Sequence, residues 1–351
     1  MNRAVRAEAA VLGAAVTNGS SASSNRVVKA QQTLLSATMV NFSKYASIRA
    51  HGLNAVQATN KTSRQPPIML LHGYGSGLGF FFRNLDHFTS RSAYAVDWLG
   101  LGGSDRPRKG PKKSVFACGD AVTAAETATA FFIDSLHEFF KTNVPDAPVV
   151  LVGHSLGGYL AARFALKYPG LVSKLILASP AGVANVDDRA SRRMATRGAA
   201  FGAVIDAMWA SNVTPQSVVR MVGDVRGRQW ISNAVASRFG PNTEWSEHQR
   251  AVADYLFEIT RAPPSGEYAL NSLLKPPAAA QGIVARVPLA GLLKDRSDVR
   301  VLTLFGDHDW LASPAALQAS KQIGDLIILP GAGHHLYLDN YKLFNRAVLD
   351  A

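Results

Sequence analysis

The sequence holds a single cysteine, Cys118, in 351 residues, which excludes an internal disulfide framework and a thiolate zinc cluster. It has no run of about 18 apolar residues, so no segment reads as a membrane-spanning helix. Acids are also scarce. Asp and Glu number 25 against 37 Lys and Arg, a formal charge of +12. With 47% hydrophobic residues the chain is far from a disordered composition, and it is long enough for two domains or for one large α/β domain with an insertion. A charge of +12 asks for an anionic partner: nucleic acid, a lipid surface or an organelle import route. Its distribution argues against nucleic acid. Residues 1–64 carry eight basic residues against the single acid Glu8, whereas residues 121–180 are balanced.

Residues 1–26 are rich in Ala and Ser, with Arg3 and Arg6 on one turn; they read as a disordered tail or a mitochondrial-type presequence. The corresponding locations are the mitochondrion, or the cytoplasm with peripheral association to a membrane or lipid droplet. A helix is expected over Val27–Ser36, with lead-in strands to residue 64. From Pro67 the pattern becomes short apolar runs closed by glycine: I-M-L-L at 68–71, A-Y-A-V-D at 93–97, V-V-L-V-G at 149–153 and L-I-L-A-S at 175–179. Helical periodicity lies between them, at Ala121–Lys141 and after Gly157. Apolar strands alternating with helices imply a mostly parallel sheet covered on both faces. The rhythm breaks over 181–298 and returns at V-L-T-L-F-G, 301–306, and L-I-I-L-P-G, 326–331. One core, 65–180 with 299–351, is therefore expected to carry a helical lid at 181–298.

Gly153-His154-Ser155-Leu156-Gly157 is a G-x-S-x-G between a strand and a helix. That spacing lets the chain turn sharply and project a serine hydroxyl beside a helix N-terminus, where developing negative charge is favoured. A serine nucleophile needs a base and an orienting acid, in the chain order Ser, Asp/Glu, His for such a fold. Asp309 follows the 301–306 run and His334 follows the 326–331 run, so both reach the same sheet edge as Ser155. Asp307 and His335 are the alternatives; Asp307 sits where a turn carboxylate ordinarily caps a loop. The oxyanion donors are expected to be the backbone N–H groups of Leu156 and Tyr74, the latter in His72-Gly73-Tyr74-Gly75. His72 itself reads as a structural loop histidine. His334 and Asp339 also form an H-x4-D, in which the carboxylate either orients a histidine that deprotonates an acceptor hydroxyl or caps the C-terminal helix near Asn340. Two basic clusters, Arg106–Lys113 and Arg189–Arg197, read as solvated loops or as contacts to lipid phosphate. No metal-ligand spacing is present.

These segments resemble the α/β-hydrolase superfamily over about residues 65–351. Within it they are similar to the subfamily of α/β-hydrolase domain proteins 4 and 5. The resemblance rests on L-L-H-G-Y-G-S-G-L-G-F-F at 70–81, D-W-L-G-L-G-G-S-D-R-P at 97–107, G-H-S-L-G-G-Y-L-A at 153–161, P-S-G-E-Y-A-L at 264–270 and G-A-G-H-H-L-Y-L-D at 331–339. It implies a serine acyl-ester hydrolase or acyltransferase on glycerophospholipids or lysophospholipids, of the phospholipase or lysophosphatidic acid acyltransferase type. No cofactor is implied; acyl-CoA enters only as a substrate of the transferase. The partners implied are a lipid substrate and an anionic membrane or lipid-droplet surface, with no nucleic acid. The subfamily's coactivator carries Asn where this chain has Ser155, so the resemblance implies a catalytically competent member. A small-molecule carboxylesterase or C–C hydrolase would use the same triad, and a lipase-binding scaffold would leave it idle.

Overall fold

The computed structural model describes residues 22–107, 120–144, 148–186, 199–239, 248–276 and 283–350. The presequence reading for residues 1–21 and most of both basic clusters lie outside these. Among the described residues a sheet of order β1-β2-β4-β3-β5-β6-β7-β8 forms the centre. Its strands are β1 Ala46–Ala50, β2 Leu53–Ala58, β3 Ile68–Leu71, β4 Ala93–Val96, β5 Val149–His154, β6 Val172–Ala178, β7 Arg300–Gly306 and β8 Asp325–Leu329. The β1–β2 and β2–β4 pairs are antiparallel, and from β4 to β8 every pair is parallel. This is an α/β-hydrolase architecture with a mostly parallel sheet.

The unbroken apolar strands follow from burial on both faces. Met69, Leu71, Leu151, Leu175 and Leu177 pack with Phe132, Leu136 and Phe139 of α2 (Ala121–Asn143) and Leu160 and Phe164 of α3 (Leu156–Lys167). The alternate residues Ile68, Leu70, Val150, Val152, Ile176 and Leu304 face the other way, onto Val27, Leu34 and Leu35 of α1 (Ala22–Thr38) and onto Phe344 and Val348 near the C-terminus. With a period of two, each strand feeds two cores. Two expectations change. Helix α1 already starts at Ala22, and the buried Ser24 donates to the Ser104 carbonyl at 3.2 Å, so residues 22–26 belong to the fold rather than to a tail. Strand β8 lies at the sheet edge, which leaves Ile327 and Ile328 43% and 41% exposed despite their apolar run.

Between β6 and β7 the chain builds helices α4 (Ala199–Ala210), α5 (Pro215–Met221), α6 (Gly223–Phe239) and α7 (Gln249–Arg261). Helix α5 starts from a capping box in which Thr214 and Ser217 satisfy each other's backbone N–H groups, with Pro215 in the first turn. Helix α7 buries Val252, Tyr255 and Ile259 along one stripe. Tyr255 packs on the loop after β3, where a Cβ at Gly77 would stand 2.3 Å from its hydroxyl.

A second anchor is Asp97, fully buried at the end of β4. Its carboxylate accepts from the N–H groups of Leu78 and Gly103 and from the Asn54 side chain, each at 2.7 Å. A buried carboxylate survives only when its oxygens are so occupied. Replacing Asp97 by Ala leaves two buried backbone N–H groups unmet and the Asn54 amide with Gln31 alone, and urea unfolding is expected to show a loss of about 3 kcal/mol or more.

Candidate active site

The parallel register brings the ends of β5 and β6 level, with β7 running two residues further, to Gly306. Gly153 pairs with Leu177, His154 with Ala178, and Ala178 in turn with Leu304. Whatever follows these strands meets at one edge. Ser155 sits there between β5 and α3 with φ +54° and ψ −119°, a conformation seldom adopted by a side-chain-bearing residue. The turn closes because its neighbours are glycine. A Cβ on Gly153 would stand 2.3 Å from the Gly157 carbonyl oxygen, and one on Gly157 would stand 2.4 Å from that of His72.

The Ser155 hydroxyl is 3.1 Å from His334 Nε2, and His334 Nδ1 is 3.2 Å from Asp309 Oδ1. With Nε2 accepting from the serine, Nδ1 carries the ring proton, on the side of the ring that faces Asp309. Asp309 is fully buried, and its Oδ1 also accepts from Leu311 N–H at 2.9 Å. Thus Ser155, Asp309 and His334 are brought together in one hydrogen-bonded chain.

The alternatives are placed elsewhere. Asp307 accepts from Gly331 and Ala332 N–H, both at 3.0 Å, and ties the loop after β7 to the turn carrying His334. His335 stands beside rather than in the chain; burial first, then the neighbouring charges of His334 and Arg238, lowers its pKa to about 4. His72 is buried, with Nδ1 donating to the Gly73 carbonyl at 2.8 Å and Nε2 accepting from Trp98 N–H at 3.3 Å. Burial lowers its pKa despite Asp97, which keeps the ring neutral in a structural role.

The turn after β3 lies against the nucleophile: a Cβ on Gly73 would be 3.0 Å from that of Ser155. The Leu156 N–H opens α3, where first-turn amides have no intrahelical acceptor. The Tyr74 hydroxyl donates to Gln216 of α5 at 2.9 Å, so the insertion holds the loop that carries Tyr74.

Asp339 corrects both expectations for the H-x4-D. It does not cap the last helix, α8 (Tyr341–Leu349), whose cap is Asn340, accepting from Leu343 N–H at 3.3 Å. Nor is it the group that bonds the His334 ring, whose Nδ1 faces Asp309. Asp339 instead accepts from Gly333 N–H at 2.9 Å and forms an ion pair with Arg238 of α6. Arg238, Phe239, Trp310, Gly333, His334, His335 and Asp339 line a cleft of about 530 Å³. The Trp310 ring lies 4.9 Å from that of His334, tilted by 50°. Of the basic cluster that starts at Arg106, the described Arg106 turns inward, bonding the carbonyls of Gly102 and Ser104; burial lowers its pKa to about 10.

Two features escape sequence reasoning. His154, the unassigned second residue of G-x-S-x-G, is buried and donates from Nε2 to the His334 carbonyl at 2.8 Å, pinning that backbone. Ser179, just after β6, contacts both His334 and Asp309. Neither residue type nor spacing marks it. No group of three or more metal-ligating side chains occurs among the described residues, and no described helix is long and apolar enough to cross a membrane.

Residues 66–341 match the family model described as alpha/beta hydrolase fold. The chain is 36% identical to a 1-acylglycerol-3-phosphate O-acyltransferase of Arabidopsis thaliana, over 82% of this chain and 66% of that protein. It thus spans about two thirds of that relative's length. It is 30% identical to 1-acylglycerol-3-phosphate O-acyltransferase ABHD5 of Homo sapiens, over 83% of this chain and 78% of that one. To a human (lyso)-N-acylphosphatidylethanolamine lipase it is 27% identical, over 84% and 81%.

The buried histidines set a pH dependence of stability. His72, His154 and His335 all have folded pKa values below the ordinary 6.5, each mainly through burial. Below pH 6.5 the unfolded chain binds protons that the folded chain refuses, so their contribution is complete above about pH 6.5 and is lost as pH falls toward 4. Thermal melts should show a midpoint that drops from pH 7 to pH 5, and His335→Gln should flatten part of that slope.

Proposed function

We propose that this chain, which belongs to the α/β-hydrolase fold family, transfers acyl groups to and from glycerophospholipids through a covalent acyl-serine at Ser155. The observation that carries this reading is the 3.1 Å contact between Ser155 Oγ and His334 Nε2, backed by the buried Asp309. The relatives, named as acyltransferases and as a lipase, support an enzyme of this class, and their names supply the lipid.

In the first half-reaction Ser155 Oγ attacks the acyl carbonyl while His334 takes its proton, and the imidazolium is stabilised by the carboxylate of Asp309. The N–H groups of Leu156 and Tyr74 receive the charge on the carbonyl oxygen. The tetrahedral adduct collapses, His334 returns the proton to the leaving group, and the acyl group stays on Ser155. The leaving group is a lysolipid in hydrolysis and the thiol of CoA in transfer from acyl-CoA. In the second half His334 deprotonates the incoming hydroxyl, from water or from a lysophospholipid, and Ser155 leaves. One histidine therefore serves both outcomes, and which predominates depends on whether the cleft admits a lysolipid more readily than water. The H-x4-D reading becomes a proposal about the cleft wall. Asp339 holds the turn that presents His334 and pairs with Arg238 at the mouth, where a lipid head group would enter.

Two experiments test this. A fluorophosphonate probe should label the folded protein on Ser155, and Ser155→Ala should abolish labelling and cut acyl turnover by a factor on the order of 10⁶. An unlabelled but folded wild-type protein would favour a non-catalytic scaffold. Separately, supplying acyl-CoA with lysophosphatidic acid should yield phosphatidic acid, and Asp339→Asn should raise KM for the lysolipid about tenfold, the size of one weakened charge contact. If Asp339→Asn changes neither hydrolysis nor transfer, Asp339 is a structural turn residue only.

A further inference from the structure

Ser179 places a hydroxyl inside the link between His334 and Asp309, and the reaction as described makes no use of it. The residue follows β6 directly, is fully buried and has φ +48°. Its N–H donates to the Leu304 carbonyl at 2.7 Å, which locks the turn to β7. Its Oγ lies 2.6 Å from His334 Nδ1, whereas the nearer Asp309 oxygen lies 3.2 Å from that nitrogen. The same hydroxyl also bonds Asp309 Oδ2.

One set of proton positions satisfies all three groups. His334 Nδ1–H donates to Ser179 Oγ, and Ser179 O–H donates to the carboxylate, which accepts only. We propose that Ser179 is a positioning residue: its hydroxyl relays the charge of Asp309 to His334 and fixes the ring for the exchange with Ser155. This rests on the reading of Ser155 as nucleophile and His334 as base. When His334 takes the serine proton, Nδ1–H becomes a stronger donor, and Ser179 passes the demand on to the carboxylate. The hydroxyl is therefore worth more in the transition state than before it. The left-handed backbone at Ser179, seldom adopted by a residue with a side chain, is what turns Oγ toward the pair.

The test compares Ser179→Ala with wild type on a chromogenic ester such as p-nitrophenyl butyrate, reading kcat, KM and the pH profile of kcat/KM. The titratable groups facing His334 are Asp309, His154 and His335, with Arg238 and Asp339 at the cleft wall. All of these remain in the variant. Loss of one charge-assisted contact predicts a fall in kcat of between about tenfold and a hundredfold with KM little changed. The acid limb should move to lower pH, because the imidazolium has lost an acceptor and gives up its proton more easily. A carboxylate in the same place should act as the missing acid, so Asp309→Asn combined with Ser179→Asp should recover at least part of the turnover lost in Asp309→Asn alone.

Wild-type kcat with an unmoved acid limb in Ser179→Ala overturns the proposal. So does a lower melting temperature and lower activity with the limb unmoved, which is the signature of packing alone. If Ser179→Ala does not fold, Ser179→Gly, whose backbone accepts φ +48° freely, carries the same comparison. The outcomes separate from those for the underlying reading. An active Ser155→Ala removes both, whereas an inactive Ser155→Ala beside an unaffected Ser179→Ala removes this proposal only.

Discussion

A single steric constraint, the tight turn from β5 into α3, governs the rest of this molecule. Ser155 is held at φ +54°, and the chain can turn there only because Gly153 and Gly157 have no side chains to drive into the Gly157 and His72 carbonyl oxygens. The register of the sheet then determines what can meet the serine. Because β5, β6 and β7 end on the same side of the sheet, within two residues of one another in register, the loops that follow them converge on it. The energy that maintains the strained turn comes from the apolar strands, which bury both faces in two helical layers.

Around that turn the molecule keeps its polar groups dry and paired. Asp309 and Ser179 are fully buried behind His334, while the cleft opens on the other side of the ring, under Trp310 and the Arg238–Asp339 pair. Under the proposed acyl transfer this asymmetry has a use: a buried carboxylate would act on the imidazole at low dielectric, while the serine hydroxyl would face substrate. The helical insertion contributes twice, through Gln216 on Tyr74 and through Arg238 on Asp339, so it is joined to both sides of the reacting centre.

The sequence made the strands and the Ser155–His334 pair readable because each is encoded locally. Four to six consecutive apolar residues ending in glycine leave little besides a buried strand, and G-x-S-x-G constrains its own backbone. Asp309 was readable from chain order. What escaped depends on contacts between distant segments. Ser179 and Asp309 are 130 residues apart, and a serine after a strand carries no signal of its own. Asp339 has the local context of a helix cap or an orienting acid, but its ion pair with Arg238 spans 101 residues and needs the insertion folded back over the core. The L-I-I-L run gave β8 but not its exposure, since strand order across a sheet is not written in any one strand. Asp97 lies in a segment that pointed to the fold, yet its three donors come from strand β2, the turn after β3 and the loop after β4.

In the proposed reaction acyl groups pass through Ser155 rather than directly from donor to acceptor. The most direct test is intact-protein mass spectrometry after rapid mixing with acyl-CoA, followed by peptide mapping. The expected result is a mass increase of one acyl group on the peptide carrying Ser155, discharged when lysophosphatidic acid is added. Formation of phosphatidic acid with no acyl adduct on that peptide, or an adduct that lysolipid does not discharge, would contradict it.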